Sequence, residues 1–426
     1  MLNNNSKDYM LNNSKNHNGL LLTLILILAL LLRLAAINHG FPVIRHPDEP
    51  AVIRTALGIR FDANPGHFDW PHLFIYLNYF LYMGFAYLRD LVASMGWKPS
   101  ISSTLPLVWN DNLIFYWLSR VFAAILGALT IFPIYLSGKS LFNPKVGLLC
   151  ALTFTLIPFH VRHSHYALID VPMIFFFSWG LYFCTKILQS RETKNYILAG
   201  LFIGFAASTK YNGALLSLVV PLAYLFRTLL QRGEKIFNLK GIFNLVLSGI
   251  FAVLGFVAGT PFSVFDYKTF LRTDGPKGAL WQFTNVGKVE LPEHLSKFIS
   301  VFPNKLADDF GYTFLFAFFL VLIYFTYRLI SKKFQQDELK IWFLLIPTIG
   351  FLYYISGFIR NPSHYYMITY PFVALISGYF IYRILEGLKY FKKIVLLVFF
   401  LVPLYFSVQN IIDLTNKDVS VMESTQ

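Results

Sequence analysis

The sequence predicts an all-α polytopic membrane protein, a bundle of about eleven transmembrane helices with a long first outer loop that carries interfacial helices. Of its 426 residues, 56% are apolar and only 14% are charged. Apolar runs recur from residue 20 almost to the C-terminus, and many of the loops between them are short. The predicted spans are, in chain order, 20–38, 113–137, 146–159, 168–185, 196–209, 213–226, 241–261, 311–328, 341–357, 366–383 and 394–411.

The basic residues give the orientation. With a cytoplasmic N-terminus, the inner segments hold 19 of the 36 Lys and Arg residues but only six of the 22 acidic residues. An excess of Lys and Arg in short cytoplasmic loops is usual in membrane proteins, so topology accounts for the formal net charge of +14. Nucleic acid is therefore not an expected partner. We expect a multi-pass protein of the plasma membrane, with membrane lipids as partners and its long loops outside.

The spans divide the chain into a transmembrane domain at 20–411 and two tails at 1–19 and 412–426. The N-terminal tail is polar and Asn-rich, which predicts a disordered cytoplasmic segment. The first apolar run has no obvious small-residue cleavage site, so we interpret it as a retained span instead of a signal peptide. The outer loops at 39–112 and 262–310 are the places where a site can be assembled.

Residues 72–88, within the first long loop, are apolar and rich in aromatic side chains. They offer only about 16 uncharged residues, whereas a full span needs roughly 20. If they crossed the membrane, the later basic loops would face outward, against the usual charge distribution. We therefore predict an interfacial helix that shapes an entrance for a lipid. A short true span is the alternative.

Two adjacent acids, Asp48 and Glu49, follow the first span by about ten residues. Pro47 and Pro50 flank them, and the sequence that follows predicts a short helix whose N-terminus carries both carboxylates. A carboxylate held at the membrane surface can accept a proton from a hydroxyl group. A simple helix cap is the alternative for Asp48, but two acids between prolines favour the chemical interpretation.

The turn before the span at 168–185 carries a second group of polar residues. Asp170 stands at the mouth of the following helix, and ionisable residues at membrane depth are functional candidates by default. A plain helix cap is the alternative, since Pro172 suits the first turn. His163 and His165 lie two residues apart, but no HExxH or comparable spacing supports a metal site. Binding of phosphate or of sugar hydroxyls is the better interpretation of these histidines.

Lys210 and Arg360 each stand alone as outer cations between spans. A lipid-linked phosphate needs such counter-charges near the headgroup plane, and Arg can bind it through two hydrogen bonds. The alternative is that both side chains simply extend to the interface. The ring of Trp70 can stack on the face of a sugar, but it is equally suited to anchor the interfacial helix at the membrane surface. The candidates for binding phosphate or sugar are Arg162, His163, His165, Lys210, Tyr211, Arg360, His364, Tyr365, Trp70 and His72.

At these residues the chain resembles the GT-C glycosyltransferases, specifically the family-39-like, phospholipid-carrier-dependent group that includes protein O-mannosyltransferases and the lipid A aminoarabinose transferase. The acidic pair resembles the catalytic motif of that group, and the stretch at 64–73 follows it as in relatives. Arg120 with the small residues after it, the segment 162–172 and the turn at 208–211 also match in order. The likeness covers roughly the first 230 residues by motif and the remainder by hydropathy.

The resemblance implies transfer of a sugar from a polyprenyl-phosphate donor to a hydroxyl of a lipid, glycan or protein, with inversion, on the extracytoplasmic side. Asp48 would deprotonate the acceptor, and Glu49 or Asp170 would orient the substrates. No cofactor is firmly implied, and a divalent metal lacks support from the residues. The cations expected to neutralise the leaving phosphate are Lys210, Arg162 and Arg360.

Two other classes of protein fit parts of the sequence. A transporter or lipid flippase for a glycolipid also places ionisable residues in the membrane, although usually near the midplane. A non-catalytic glycan-binding or assembly subunit would retain the fold without the chemistry. Substitution of Asp48 by Asn distinguishes them, because only an enzyme should lose transfer while still binding the lipid donor.

Overall fold

The computed structural model describes the backbone of residues 2–96, 112–231, 238–285, 287–331, 336–388, 390 and 392–424, and side chains within these ranges from 17 to 416 except that of 336. These residues are predominantly helical and form no β-sheet; one isolated bridge joins Lys288 and Phe358. The α-helices are α1 (Leu2–Leu34), α2 (Asp48–Gly58), α3 (Leu73–Ser94), α4 (Leu113–Leu129), α5 (Ile131–Leu141), α6 (Pro144–Thr155), α7 (Pro158–His163), α8 (Asp170–Gln189), α9 (Thr193–Thr209), α10 (Val219–Leu230), α11 (Leu239–Gly259), α12 (Phe262–Phe265), α13 (Tyr267–Phe270), α14 (Ala279–Asn285), α15 (Leu291–Val301), α16 (Ala307–Phe310), α17 (Tyr312–Ile330), α18 (Gln336–Ser356), α19 (Tyr370–Gly387) and α20 (Lys392–Ser424). Two 3-10 helices span Tyr211–Leu218 and Ser363–Thr369, and a π-helical turn spans Phe302–Leu306.

Nine helical segments in the described part of the chain are long and apolar enough to cross a membrane. The chain is therefore a multi-pass membrane protein, as predicted. The segments are His17–Leu34, Leu113–Leu141, Asp170–Gln189, Tyr211–Leu230, Leu239–Gly259, Tyr312–Ile330, Asp337–Ser356, Ser363–Gly387 and Lys392–Asn416.

The predicted spans at 146–159 and 196–209 are helical but short. Helix α6 has 12 residues and α9 has 17. At 1.5 Å per residue, α6 is about 18 Å long, against a hydrocarbon core of about 30 Å. Helix α6 packs against α5 and α19, and α9 packs against α8 and α11. Both helices thus belong to the bundle, although length alone does not make them spans.

Three predicted segments differ in extent from the helices observed. The predicted interfacial segment at 72–88 becomes the 22-residue helix α3, which is not among the nine apolar segments. Its place at the interface stays a prediction. Helix α1 begins at Leu2 and so extends the first predicted span toward the N-terminus; the disordered tail at 1–19 stays a prediction. Helix α20 likewise continues through most of the predicted tail at 412–426.

Several helices are interrupted near the N-terminal end of α8, and these breaks bring polar residues from separate parts of the chain close together. Helix α7 starts at Pro158, whose missing N–H group suits a first helical turn. After α9, Lys210 has an extended backbone (φ −152°, ψ 133°) before the first 3-10 helix begins. Pro362 is extended in the same way before the second 3-10 helix. Both 3-10 helices pack against α8 and against each other, so these breaks converge.

Glycines allow α9 and α11 to approach closely. Gly200 and Gly204 lie four residues apart on α9, and a Cβ atom added to either would overlap a backbone carbonyl oxygen of α11, that of Ser248 or Ala252 respectively. Small residues at this spacing are typical of helix contacts in lipid, where close backbone packing replaces the hydrophobic driving force.

Replacement of Gly200 by Val is expected to destabilise the protein by about 1–3 kcal/mol, because the added methyl groups force the two backbones apart. The measurement is the Tm of the purified protein in detergent. Gly249 on α11 has open space around it, so Gly249→Val is the matched control for helix propensity. Equal losses in the two variants would contradict the close-packing account.

Candidate active site

Asp170, the first residue of α8, is the centre of a buried polar cluster. It is 5% exposed. Its Oδ1 atom lies 2.5 Å from Nζ of Lys210, and its Oδ2 atom lies 3.4 Å from Nε2 of His163. The N-terminus of a helix favours a carboxylate, and the Lys210 ammonium compensates a charge that would be costly alone at this depth.

Two residues of the second 3-10 helix line the same cluster. The ring of His364 stacks on that of His163, with centroids 5.9 Å apart, and makes an edge contact with Tyr365. Nζ of Lys210 lies 4.8 Å from the ring centroid of Tyr365, within the range of a cation–π interaction. Four of the predicted binding residues, from three separate parts of the chain, therefore lie around Asp170.

Asp48 reaches this cluster from the first outer loop. It begins α2, its side chain is exposed, and its backbone N–H donates to Nδ1 of His46 at 3.2 Å. Tyr365 interacts electrostatically with Asp170, Arg360 and Asp48. His46 interacts with Asp48 and Asp170, and burial lowers its pKa. Asp48 and Asp170, two of the three acids predicted from the sequence, thus lie near one site.

Glu49 has a different environment from its neighbour. It is fully buried, and its two oxygen atoms accept bonds of 2.7 Å from Nε and Nη2 of Arg120. The backbone N–H of Ala167 also donates to Oε1 at 2.8 Å. Nη1 of Arg120 donates to the carbonyl oxygens of Ile37 and His39. The pair therefore joins α2 to α4, to the segment after α1 and to the turn before α8.

In this geometry the carboxylate of Glu49 is fully buried, and each of its oxygens accepts a hydrogen bond from the protein. That Glu49 orients substrates directly stays a prediction. Its contacts also hold Asp48, one residue earlier, at the mouth of the site. Sequence alone does not distinguish the exposed acid from the buried one, since they are adjacent.

Two of the predicted binding histidines face the protein instead of the site. His165 is fully buried, and its ring nitrogens lie 2.9 Å and 2.8 Å from the carbonyl oxygens of Val161 and Ala35. His72 is also fully buried, with Nε2 at 2.7 Å from the carbonyl oxygen of His67. Burial lowers the pKa of His72 to about 4. Both rings hold loops in place in this geometry and are not presented to a ligand.

Tyr211 and Trp70 also have structural contacts. The Tyr211 hydroxyl donates to the carbonyl oxygen of Phe68 at 2.7 Å and so ties the first outer loop to the first 3-10 helix. Trp70 packs at the edge of a small apolar cluster that includes Val52 and Ile169. Neither residue has a described contact with Asp170.

The remaining predicted cations lie at the rim of the cluster. Arg162 and Arg360 are exposed. Arg162 forms a side-chain hydrogen bond with Tyr166, whose ring packs on that of His46 with centroids 5.0 Å apart. Tyr166 and His46 were not among the predicted site residues. Their position inside the two motifs is the signal that would have identified them.

No group of three or more His, Cys, Asp or Glu side chains suited to a metal ion occurs in the ranges that the structure describes. The site as described thus consists of two acids, His163, His364, Tyr365 and the cations around them. Fixed positive charges beside a carboxylate at a membrane surface can bind a phosphate and accept a proton from a hydroxyl group.

Comparison with known proteins supports the resemblance inferred from the motifs. The family described as dolichyl-phosphate-mannose-protein mannosyltransferase matches residues 91–265. Dolichyl-phosphate-mannose–protein mannosyltransferase 1 of Saccharomyces cerevisiae is 30% identical over 194 residues, which are 43% of this chain and 22% of the yeast protein. The chain thus spans about a fifth of the length of that relative.

Solved structures share the fold at low identity. The oligosaccharyltransferase AglB of Archaeoglobus fulgidus, in complex with an inhibitory peptide and a dolichol-phosphate, has a TM-score of 0.57 at 15% identity, over 94% of this chain and 56% of that chain. ArnT from Cupriavidus metallidurans, bound to undecaprenyl phosphate, has a TM-score of 0.51 at 14% identity, over 85% and 60%. The predicted GT-C fold is therefore confirmed, and residues 91–265 are similar to the dolichyl-phosphate-mannose-protein mannosyltransferase family.

Proposed function

We propose that this protein is an integral membrane glycosyltransferase that moves a sugar from a polyprenyl-phosphate-linked donor to an acceptor hydroxyl group on the extracytoplasmic side. The observation that carries the proposal is the convergence of exposed Asp48 with the buried Asp170–Lys210 pair. An open carboxylate and a fixed ammonium are the two groups that such a transfer needs.

Asp48 acts as the general base in this mechanism. As the acceptor oxygen forms its bond to the anomeric carbon, the bond from that carbon to the phosphate oxygen breaks. The phosphate leaves with the bonding electron pair, and Asp48 takes the proton of the hydroxyl group. Attack opposite the leaving group inverts the configuration in one step, so no covalent sugar–protein intermediate forms.

The cations stabilise the leaving phosphate. Lys210 is held by Asp170 and by the face of Tyr365, so its ammonium is positioned before the donor arrives. A charge that is already in place stabilises the developing phosphate anion without reorganisation. Arg162 and Arg360 at the rim add donors that can bind phosphate oxygens in pairs.

The relatives support this choice of donor. AglB is described with a dolichol-phosphate and ArnT with undecaprenyl phosphate, which are the same chemical class of polyprenyl phosphate. The yeast relative is named for a dolichyl-phosphate-linked mannose and a protein acceptor. We therefore propose a hexose such as mannose as the first sugar to test, with a lipid, glycan or protein as acceptor.

The test is incubation of membranes containing the protein with labelled polyprenyl-phosphate mannose, followed by isolation of the labelled product. We expect label in a new acceptor linked with inverted anomeric configuration. Membranes that carry Asp90→Asn, an exposed acid at the end of α3, serve as the matched control. Movement of the intact glycolipid across the membrane without transfer would instead identify a flippase and contradict the proposal.

The sidedness of the site gives a separate expectation. A cysteine in place of Asp48 should react in intact cells with a membrane-impermeant maleimide, because the proposed site is extracytoplasmic. The two native cysteines, Cys150 and Cys184, are fully buried, so background labelling should be low. Reaction only after the cells are opened would place α2 on the cytoplasmic side and reverse the topology.

A further inference from the structure

Helix α15, in the second long loop, carries a stripe of exposed apolar side chains. Leu291, Leu295 and Ile299 are 63%, 47% and 68% exposed among the residues that the structure describes. Because they follow one another at intervals of four residues, they lie along one side of the helix. At about 100° per residue, they cover roughly 80° of its circumference. A contiguous apolar surface of this kind is typical of an interaction site.

The side of α15 next to this stripe packs against α18. The ring of His294 stacks on that of Tyr353, with centroids 4.1 Å apart, and its Nε2 atom lies 2.6 Å from the Tyr353 carbonyl oxygen. The ring of Phe298 makes an edge contact with the ring of Tyr353, with centroids 5.5 Å apart. These contacts fix the rotation of α15 about its own axis, so the stripe has a defined direction.

The helices that α15 contacts are two of the apolar segments long enough to cross a membrane. Tyr353 lies within the segment Asp337–Ser356. Directly after α15, the ring of Phe302 packs on that of Phe319, with centroids 5.0 Å apart. Phe319 lies seven residues after Tyr312, the first residue of α17, which is about 10 Å along that helix. Helix α15 therefore lies beside the ends of two spans, at membrane depth.

The polar flank of α15 faces away from these spans. Nζ of Lys297 lies 3.2 Å from Oε1 of Glu293 and 3.4 Å from the carbonyl oxygen of Ile359, which follows the last residue of α18, Ser356. On the helix circumference, the Lys297 flank and the stripe border the packed side in opposite directions. Because Lys297 points beyond the end of α18, the stripe points back toward the apolar part of the bundle.

This end of the bundle is the end that holds the candidate active site. Lys305, in the π-helical turn after α15, donates to Oδ1 of Asn361 at 2.9 Å. Asn361 lies three residues before His364, whose ring stacks on that of His163. Helix α15 and the candidate site thus belong to the same half of the membrane.

The chemistry of the stripe favours lipid as its partner. Exposed apolar side chains also occur on α17 and α18, among them Phe316, Ile323 and Ile346, and in a span such side chains face acyl chains. The stripe continues this surface. The two charged side chains of α15, Glu293 and Lys297, are paired with each other, so the helix offers no net charge to an acidic or basic partner.

We propose that α15 is an interfacial helix whose stripe of Leu291, Leu295 and Ile299 inserts into the acyl region of the leaflet on the side of the candidate site. One side of the helix then contacts protein, one contacts water and one contacts lipid, the arrangement that an amphipathic helix adopts at a membrane surface. The second long loop is therefore in part a membrane-embedded wall beside the site. This inference goes beyond the proposed function and does not depend on sugar transfer.

The test places an environment-sensitive NBD fluorophore on single introduced cysteines in the full-length protein, reconstituted in phosphatidylcholine vesicles. Leu295→Cys and Ile299→Cys report on the stripe. Glu293→Cys is the matched control, because this exposed position on the same helix lies about 160° around the axis from Leu295. The native cysteines, Cys150 and Cys184, are fully buried, and the unsubstituted protein gives the background.

The two stripe positions should differ from the control. An interfacial helix buries its apolar face about 5–10 Å into the boundary between headgroups and acyl chains. We therefore expect labels at Leu295 and Ile299 to emit at shorter wavelength and to be quenched by lipids that carry a doxyl group near the top of one acyl chain. The label at Glu293 should instead be quenched by aqueous iodide.

Three outcomes would overturn the inference. Quenching of the stripe labels by iodide alone would place the stripe in water. Emission at short wavelength without quenching by the doxyl lipid would show that protein covers the stripe, either a second copy or another segment of this chain. Equal doxyl quenching at Glu293 and at both stripe positions would show a helix without a defined lipid face. If one stripe variant folds poorly, the other still decides between these outcomes.

Discussion

Substitution of Asp48 by Asn is expected to slow sugar transfer by roughly 10²- to 10⁴-fold, the range usual for loss of a general base. Asn has nearly the same shape but cannot accept the proton of the acceptor hydroxyl group. The cations that bind the donor phosphate are untouched, so the Kd for polyprenyl-phosphate mannose should change little. Single-turnover transfer and equilibrium binding, measured on the same preparation, separate the two quantities.

The matched control for this prediction is Asp90→Asn, which removes an exposed acid near the end of α3. It should transfer sugar at the wild-type rate. If Asp48→Asn also transferred at that rate, the base would have to be another residue. A parallel loss of donor binding would instead indicate that Asp48 contributes to the shape of the site.

Substitution of Glu49 by Gln is expected to destabilise the protein by roughly 3–5 kcal/mol, because it leaves the buried guanidinium group of Arg120 without its counter-charge. Both side chains are almost completely buried, at 0% and 1% exposure, so solvent cannot compensate. The measurement is thermal unfolding of the purified protein in detergent. Transfer should fall as well, because the pair anchors α2 and hence Asp48.

An exposed ion pair provides the comparison. Asp90 pairs with Arg89 at 2.7 Å but is 57% exposed, and surface pairs contribute at most about 1 kcal/mol. Asp90→Asn should therefore lower Tm only slightly. Replacement of both partners of the buried pair by uncharged residues should cost less than Glu49→Gln alone, since no unpaired charge remains. A loss as small as that of Asp90→Asn would contradict the account.

The sequence predicted site residues best where a charged side chain stands beside an apolar run. Asp170 and Lys210 stand out because acids and cations are rare beside apolar runs, and the structure places them in one ion pair. Asp48 stands out because prolines flank it. These features depend on local sequence alone, and the structure brings these residues together.

Other site features depend on tertiary packing that no local pattern records. Glu49 is as acidic as Asp48, and only the position of Arg120 shows that it is buried. His165 resembles His163 in sequence, yet its ring points toward the end of α1.

The helix interruptions were hidden for a related reason. Hydropathy treats the 3-10 helices Tyr211–Leu218 and Ser363–Thr369 as parts of continuous spans, because their side chains are largely apolar. Their tighter backbone nevertheless brings Tyr365 and His364 to Lys210 and His163. Hydropathy predicts where a chain crosses the membrane, but not where its backbone departs from α-helix.

The central claim is that Asp48 of the outer loop and the Asp170–Lys210 pair of the bundle form one site. The most direct test is cross-linking of a variant with cysteines in place of Asp48 and Tyr365, which interact electrostatically, by a short bismaleimide in native membranes. We expect a cross-linked product that contains both segments within one chain. Efficient labelling of each cysteine alone, with no cross-link between them, would contradict the claim.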